Sequence, residues 1–333
     1  MNAHDAIPQK RNEFMGIPSD KIKIYTMKKI LTYCIIALGM QALAQQETMI
    51  SQYMFNGAFL NPAYAGSHDY TEASALYRQQ WTGFAGAPVS QILSADGRFK
   101  NSKMAWGGLL TNDKIGVTYK TDLYGNFAYH LPVGPKGRLS MGLRAGMSYY
   151  RALVTQLTVW DNGDQVFSNN IKNKWLPNAG AGLYYYTPKF FAGVSAPNLL
   201  NYDANGWGTK IVKDAPAYIS HGYVYTGYVI EANPNLHFKP SILVKYVRNA
   251  PTEIDLNLNV LINRKFWVGG SYRTGDAIVG IVEYQHDGNW RIGYAYDFAL
   301  TALQKYSSGS HEIMFSYMFV KKEEAKIKSP RFF

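Results

Sequence analysis

Residues 253–262 read Glu-Ile-Asp-Leu-Asn-Leu-Asn-Val-Leu-Ile. Ile254, Leu256, Leu258, Val260 and Ile262 alternate with Asp255, Asn257 and Asn259. Successive side chains of a strand point to opposite faces, so this stretch makes one apolar face and one polar face. The same period of two recurs along the chain. Leu123, Phe127, Tyr129 and Leu131 alternate with Asp122, Asn126 and His130. Leu139, Met141, Leu143, Ala145 and Met147 alternate with Ser140, Gly142, Arg144 and Ser148. Trp290, Ile292, Tyr294, Tyr296 and Phe298 alternate with Arg291, Gly293, Ala295 and Asp297. No long helical period interrupts the pattern from about Tyr70 to Val320.

A soluble β-sandwich would alternate in the same way. Strand length and strand ends separate the two. These strands run to about 10 residues, which is what a tilted strand needs to cross a bilayer. Aromatic residues stand at many of their ends, as in Tyr149-Tyr150, Tyr184-Tyr185-Tyr186, Trp267 and Trp290, which fits the girdles of an outer-membrane barrel. Turn signals divide the region: Asn112-Asp113, Gly134-Pro135-Lys136-Gly137, Thr187-Pro188, Asn233-Pro234-Asn235, Asn263-Arg264, Thr274-Gly275-Asp276 and Asp287-Gly288-Asn289. Two longer connections, Leu153 to Trp175 and Asn198 to Pro216, are expected on the extracellular side. The expectation is an all-β protein: a transmembrane outer-membrane β-barrel of about fourteen antiparallel strands, preceded by an extended N-terminal arm or plug. The final strand, His311 to Phe319, alternates and ends on an aromatic residue, like the signal read by the barrel-assembly machinery.

Composition agrees with that class. The chain has 333 residues, 47% hydrophobic, 15% aromatic with 26 Tyr, and 30 Gly. Its mean hydropathy is −0.22, whereas a helical membrane protein would carry several apolar runs of about 20 residues. The one apolar run near the start, Ile30 to Met40, follows Met27-Lys28-Lys29 and leads to Ala42-Leu43-Ala44. A positive flank, a short apolar core and an A-x-A site make a secretory signal peptide over residues 27–44, with cleavage expected after Ala44. Residues 1–26 are expected to be a non-native extension from a misplaced start. The organisation expected downstream is an arm or plug at 45–69, a barrel at 70–320 and a tail at 321–333.

The single cysteine, Cys34, lies inside the signal core, so the processed chain has no thiol chemistry and no disulfide. The whole chain has 34 Lys/Arg and 23 Asp/Glu, a net charge of +11. Residues 1–44 hold six and three of these, which leaves 28 against 20, or +8, for the processed chain. Such an excess attracts lipopolysaccharide or acidic partners. It lacks the dense basic clusters of a nucleic-acid binder, so no nucleic-acid partner is expected.

The residues of the processed chain resemble one family in order. Gln52-Tyr53-Met54-Phe55-Asn56 and Asn61-Pro62-Ala63-Tyr64-Ala65-Gly66 resemble the opening of PorP/SprF proteins. Arg78-Gln79-Gln80-Trp81, Gly83-Phe84 and Gly86-Ala87-Pro88 are similar to the next block. Asn112 to Gly116, Gly193 to Leu200, Lys239-Pro240-Ser241, Gly269 to Gly275, Gly293 to Asp297, Gly309 to Met314 and Ser329 to Phe333 continue the series. The likeness spans essentially the whole processed chain. It implies an outer-membrane protein of the type IX secretion system. The implied partner is one large exported surface protein, such as a gliding adhesin, bound through its C-terminal signal domain. Other secretion components are implied as well, including a periplasmic peptidoglycan-binding protein. No cofactor is implied.

Candidate sites follow from both readings. Asn61, Pro62, Tyr64 and Gly66 form a plug or arm motif. Asn-Pro favours an extended or turning backbone, and a similar Asn-Pro-Ala element occurs in the N-terminal hatch of fourteen-stranded FadL-type fatty-acid transporters. That likeness supports the alternative function, an outer-membrane channel for small hydrophobic molecules. Arg78, Arg98, Arg144, Lys245, Arg273 and Arg291, with Trp81 beside them, are candidates for the lumen. So are Asp96, Asp122, Asp255, Glu283 and Asp297, because charges are costly on a lipid face. Arg331, Phe332 and Phe333 form a candidate partner-docking tail. The histidines are scattered, and adjacent Ser220 and His221 point to opposite faces of a strand. No nucleophile, base and orienting group come together, so no catalysis and no metal site are expected.

Overall fold

The computed structural model describes residues 48–156, 171–202, 219–248, 250–286 and 289–320. The expected extension, signal peptide and tail lie outside these residues, as do parts of both long connections.

The alternating segments form one antiparallel sheet that closes on itself. Its strands are β1 (Thr71–Gln79), β2 (Val89–Arg98), β3 (Met104–Ile115), β4 (Thr118–Val133), β5 (Gly137–Ala152), β6 (Ile171–Tyr186), β7 (Phe190–Ala196) and β8 (His221–Tyr228). They continue as β9 (Ile230–Asn233), β10 (Leu236–Val247), β11 (Glu253–Ile262), β12 (Phe266–Arg273), β13 (Ala277–His286), β14 (Trp290–Ala299) and β15 (Ser310–Phe319). β8 and β9 both pair with β10 and make a single wall strand, interrupted at Val229. The interruption faces Lys239-Pro240, where proline has no N–H to give to the ladder. The described wall is therefore a fourteen-stranded barrel. β1 seals it against β15, from Thr71 opposite Phe319 to Gln79 opposite His311. Closure leaves no sheet edge, as a lipid environment requires.

The alternation sorts the two faces. Leu93, Leu110, Leu123, Leu143, Val268, Val282 and Ile292 stand exposed on the outside, while Ser94, Asp96, Asp122, Asn126, Arg144, Ser271 and Glu283 are buried within. Outward aromatics gather near the ends of strands. Tyr149 meets Trp175 with ring centroids 4.9 Å apart, and Trp290 packs against Tyr284 at 5.8 Å.

Connection lengths orient the barrel. The turns between β2 and β3, β4 and β5, β6 and β7, β9 and β10, β11 and β12, and β13 and β14 are all five residues or fewer. The longest connections, 153–170 and 197–220, lie at the opposite end with 80–88 and 300–309. Short turns are periplasmic and long loops extracellular in such barrels. The start of β1 and the end of β15 stand on the periplasmic side.

Three readings of the sequence need correction. Asn112-Asp113 is not a turn; it lies inside β3, and the chain reverses at Gly116, which takes a φ of +56°. Trp267, read as a girdle residue, is buried at 1% exposure. Tyr184 and Tyr186 likewise face inward, while Tyr185 between them faces out. Register puts every second residue inside whatever its type, and these rings meet the segment described next.

Candidate functional site

Before β1 the chain occupies the lumen. Residues 48–69 fold into short helical turns at Tyr53–Phe55, Gly57–Leu60 and Pro62–Tyr64. From Ile50 to His68 every residue is buried except the half-buried Met54 and Tyr64. A backbone held away from water must satisfy its polar groups locally, and the wall supplies partners along its whole length.

At the extracellular end, Thr48 donates to Asp113. The Ser51 and Gln52 amides each donate to Glu312 over 2.8 Å. The Ser51 hydroxyl meets Asp297, and Arg78 donates to Ser51 (2.9 Å), Asp297 (2.7 Å) and Glu312 (3.1 Å). Arg273 joins the same cluster, 3.1 Å from Asp255 and 3.4 Å from Asp297. A buried charge is tolerated only when paired and hydrogen-bonded, and this cluster is both.

Midway, Asn56 donates to Ser74 and Ser94. Arg144 ties Asn126 to the Ala58 and Phe59 carbonyls, at 2.8, 2.5 and 3.2 Å. Ser195 donates to the Leu60 carbonyl. Asn61 caps the turn that follows, accepting from the Ala63 amide at 2.9 Å, and its amide group donates to the Leu183 carbonyl at 3.0 Å. Pro62 occupies the first helical position, where no amide hydrogen is needed. Here the wall approaches very closely. A Cβ on Gly142 would lie 2.1 Å from the Ala63 nitrogen, and one on Gly182 would lie 2.1 Å from Asn61 Oδ1.

At the periplasmic end, Gly66 turns with a φ of +65°. Its amide donates to Asp96 and its carbonyl accepts from Arg98, which also reaches Tyr186. His130 contacts the Ala65 carbonyl, and Tyr186 closes the set on His130. His68 is buried, 3.1 Å from Asp96 and 3.9 Å from Glu72. The same Glu72 pairs with Arg291, which also reaches the Phe55 carbonyl.

Apolar contacts complete the seat. Phe55 packs edge-on to Trp267 at 5.6 Å, and Tyr64 leans on Tyr184 at 5.5 Å. Phe55, Phe59 and Leu60 are each 8% exposed or less, worth about 1.5–3 kcal/mol apiece on burial. A cleft remains between the plug and the wall, lined by Tyr53, Leu60, Tyr184, Phe191, Tyr225 and Lys239. This sector is aromatic, unlike the polar lumen that alternation alone implies. Lys239 lies over the Phe55, Phe191 and Trp267 rings, 5.5–5.8 Å from their centroids, a cation–π arrangement.

The structure thus brings Asn61, Pro62, Tyr64 and Gly66 into the lumen. It places Arg78, Arg273 and Asp297 in one cluster, with Arg98, Arg144 and Arg291 at separate points along the plug. Trp81 is not a lumen residue: it sits in the loop after β1 with a φ of +45°. Arg331, Phe332 and Phe333 lie outside the described residues. Sequence reasoning missed Ser51, Gln52, Glu312, Lys239 and His68. Glu312 carries a usable signal, a lone carboxylate on the polar face of the last strand.

Several solved barrels are similar in outline. The Acinetobacter baumannii outer membrane protein Omp33 matches with 11% identity over 76% of this chain and 100% of its own, at a TM-score of 0.43. The CymD monoaromatic hydrocarbon channel matches with 13% identity over 86% and 97%, at 0.46. The KdgM porin matches with 9% identity over 75% and 99%, at 0.35. No curated protein matches the chain. The sequence profile of the family described as type IX secretion system membrane protein PorP/SprF matches residues 42–317. With that match across a closed outer-membrane β-barrel, the chain belongs to the PorP/SprF family of type IX secretion system membrane proteins.

Proposed function

We propose that this barrel is a docking component of the secretion system, dedicated to one large exported surface protein. It binds the C-terminal signal domain of that protein at its extracellular loops and helps export it or anchor it at the surface. The observation that carries this reading is the filled lumen. The plug spans it from the Ser51 cluster to the Gly66 turn, bonded to the wall at both ends and in the middle. A lumen so occupied has no room for a folded passenger, which favours holding the substrate over conducting it. The periplasmic turns and the tail with Arg331, Phe332 and Phe333 would face the other secretion components, among them a peptidoglycan-binding protein. Lipid and lipopolysaccharide would surround the wall.

Deletion of the gene tests this. The cognate surface protein should disappear from the surface while the remaining type IX cargo is still secreted. Loss of all type IX secretion would refute a substrate-dedicated role.

The second reading, a channel for small hydrophobic molecules, is favoured by the aromatic cleft beside Lys239. It predicts that purified barrel carries such a molecule and that substitution of Tyr225 releases it.

A further inference from the structure

The plug has a direction. Its last residues, Ala65 to His68, bond to Asp96, Arg98 and His130, which lie toward the periplasmic ends of β2 and β4. Its first described residues bond to the other end. Thr48 meets Asp113, two residues from the extracellular end of β3, and Ser51 meets Asp297 and Glu312 near the extracellular ends of β14 and β15. The chain therefore descends the lumen from outside to inside before it enters β1.

We infer that the first described residues of the plug, Thr48 and Met49, are a cell-surface element on the floor of the extracellular mouth. If the docking reading proposed above holds, this element belongs to the face offered to the exported partner. Three observations converge. Thr48 and Met49 are half-buried, while the residues that follow, Ile50 to Tyr53, are fully buried. Thr48 shares a cleft with Thr111, Asp122, Arg144 and Asn198, and Asn198 opens one of the long extracellular connections. The wall residues around it, Asp113 and Asp122 with Lys120 at 3.1 Å from Asp122, are polar and charged. Phe59, Leu109, Tyr124, Pro197 and Tyr223 complete the lining of that cleft, so polar and apolar groups share it. The plug then links the two faces of the membrane: its outer end meets the extracellular mouth, and its inner end runs directly into β1 at the periplasmic rim. The inference rests on the outward orientation of the long loops, and the test checks that orientation separately.

Residues 45–333 contain no cysteine, so single thiols placed there report position cleanly once the expected signal segment with Cys34 is removed. Three variants of the full-length gene would be made: Met49→Cys in the plug, Tyr306→Cys in the 300–309 loop and Lys136→Cys in the turn between β4 and β5. Intact cells are treated with a membrane-impermeant maleimide, and the fraction labelled is read against fully denatured protein. The expected result is labelling of positions 49 and 306 on intact cells, with position 136 reached only after permeabilisation, at least tenfold less before it. Labelling of 306 but not 49, with 49 reactive only from the periplasm or only after denaturation, would overturn the inference. Labelling of 136 in place of 306 would overturn the orientation itself. In either case the deletion experiment on the cognate surface protein is unaffected, so failure of this inference and failure of the docking reading are distinguishable.

Discussion

Adding one methyl group at Gly142 should unseat the plug. A Cβ there would meet three backbone atoms, the Ala63 nitrogen at 2.1 Å and the Ala63 Cα and Pro62 carbonyl carbon at 2.4 Å. Backbone cannot swing aside as a side-chain tip can, so the Pro62-Ala63 turn must retreat by about 1.3 Å to regain ordinary contact. Overpacking of this kind costs about 1–3 kcal/mol. The retreat also strains the Asn61 bonds to Ala63 and Leu183, whose loss would add about 1 kcal/mol each. Every 1.4 kcal/mol is tenfold in an equilibrium, so the overpacking alone should raise the plug-open population about 5- to 150-fold, and loss of the Asn61 bonds would raise it further. Gly280→Ala is the control, since a Cβ there meets nothing within 4 Å. The readout is the labelling rate of a thiol placed by Ala58→Cys, a fully buried plug position, in purified protein. That rate follows the open population when opening and closing are fast. Equal rates in the Gly142→Ala and Gly280→Ala backgrounds would refute the reasoning, because the plug would then not rest against β5.

Three further outcomes are expected. Arg78→Ala strips one cation from the Asp297–Glu312 cluster and should destabilise the folded barrel by about 3–5 kcal/mol, read as a lower midpoint of heat-induced unfolding on gels; Arg78→Lys should recover little, because a single ammonium cannot replace the forked contacts. Asn61→Ala loses a cap worth about 1 kcal/mol and should raise Ala58→Cys labelling severalfold, whereas Asn61→Asp should retain the cap and fall between. His68→Ala removes the contacts to Asp96 at 3.1 Å and Glu72 at 3.9 Å that hold the periplasmic end of the plug, and should raise Ala58→Cys labelling severalfold.

The wall is the legible part of this sequence. Alternation over Leu256 and Leu258 or Arg291 and Asp297 assigns each residue to a face, and the cost of charge in lipid says which face is inward. What alternation does not fix is the side an aromatic residue takes. Trp267 and Tyr184 suit a membrane interface and a lumen packing surface equally well, and only register against a plug ring decides. The Asn112-Asp113 pair has the composition of a turn, yet pairing with Gln91 and Thr121 carries the strand on to Ile115. Pairings across the lumen are invisible to spacing. Arg78 and Asp297 are 219 positions apart and meet because β1 closes against β15. Gly142 and Gly182 read as ordinary strand glycines until the Asn61-Pro62-Ala63 backbone is laid against them.

The most direct test of the account is affinity purification of the tagged barrel from its native outer membrane, with bound proteins identified by mass spectrometry. The account predicts recovery of one large exported surface protein, held through its C-terminal domain and lost when the extracellular loops are exchanged. Recovery of the barrel alone, with a small hydrophobic molecule bound beside Lys239, would contradict docking and establish the channel.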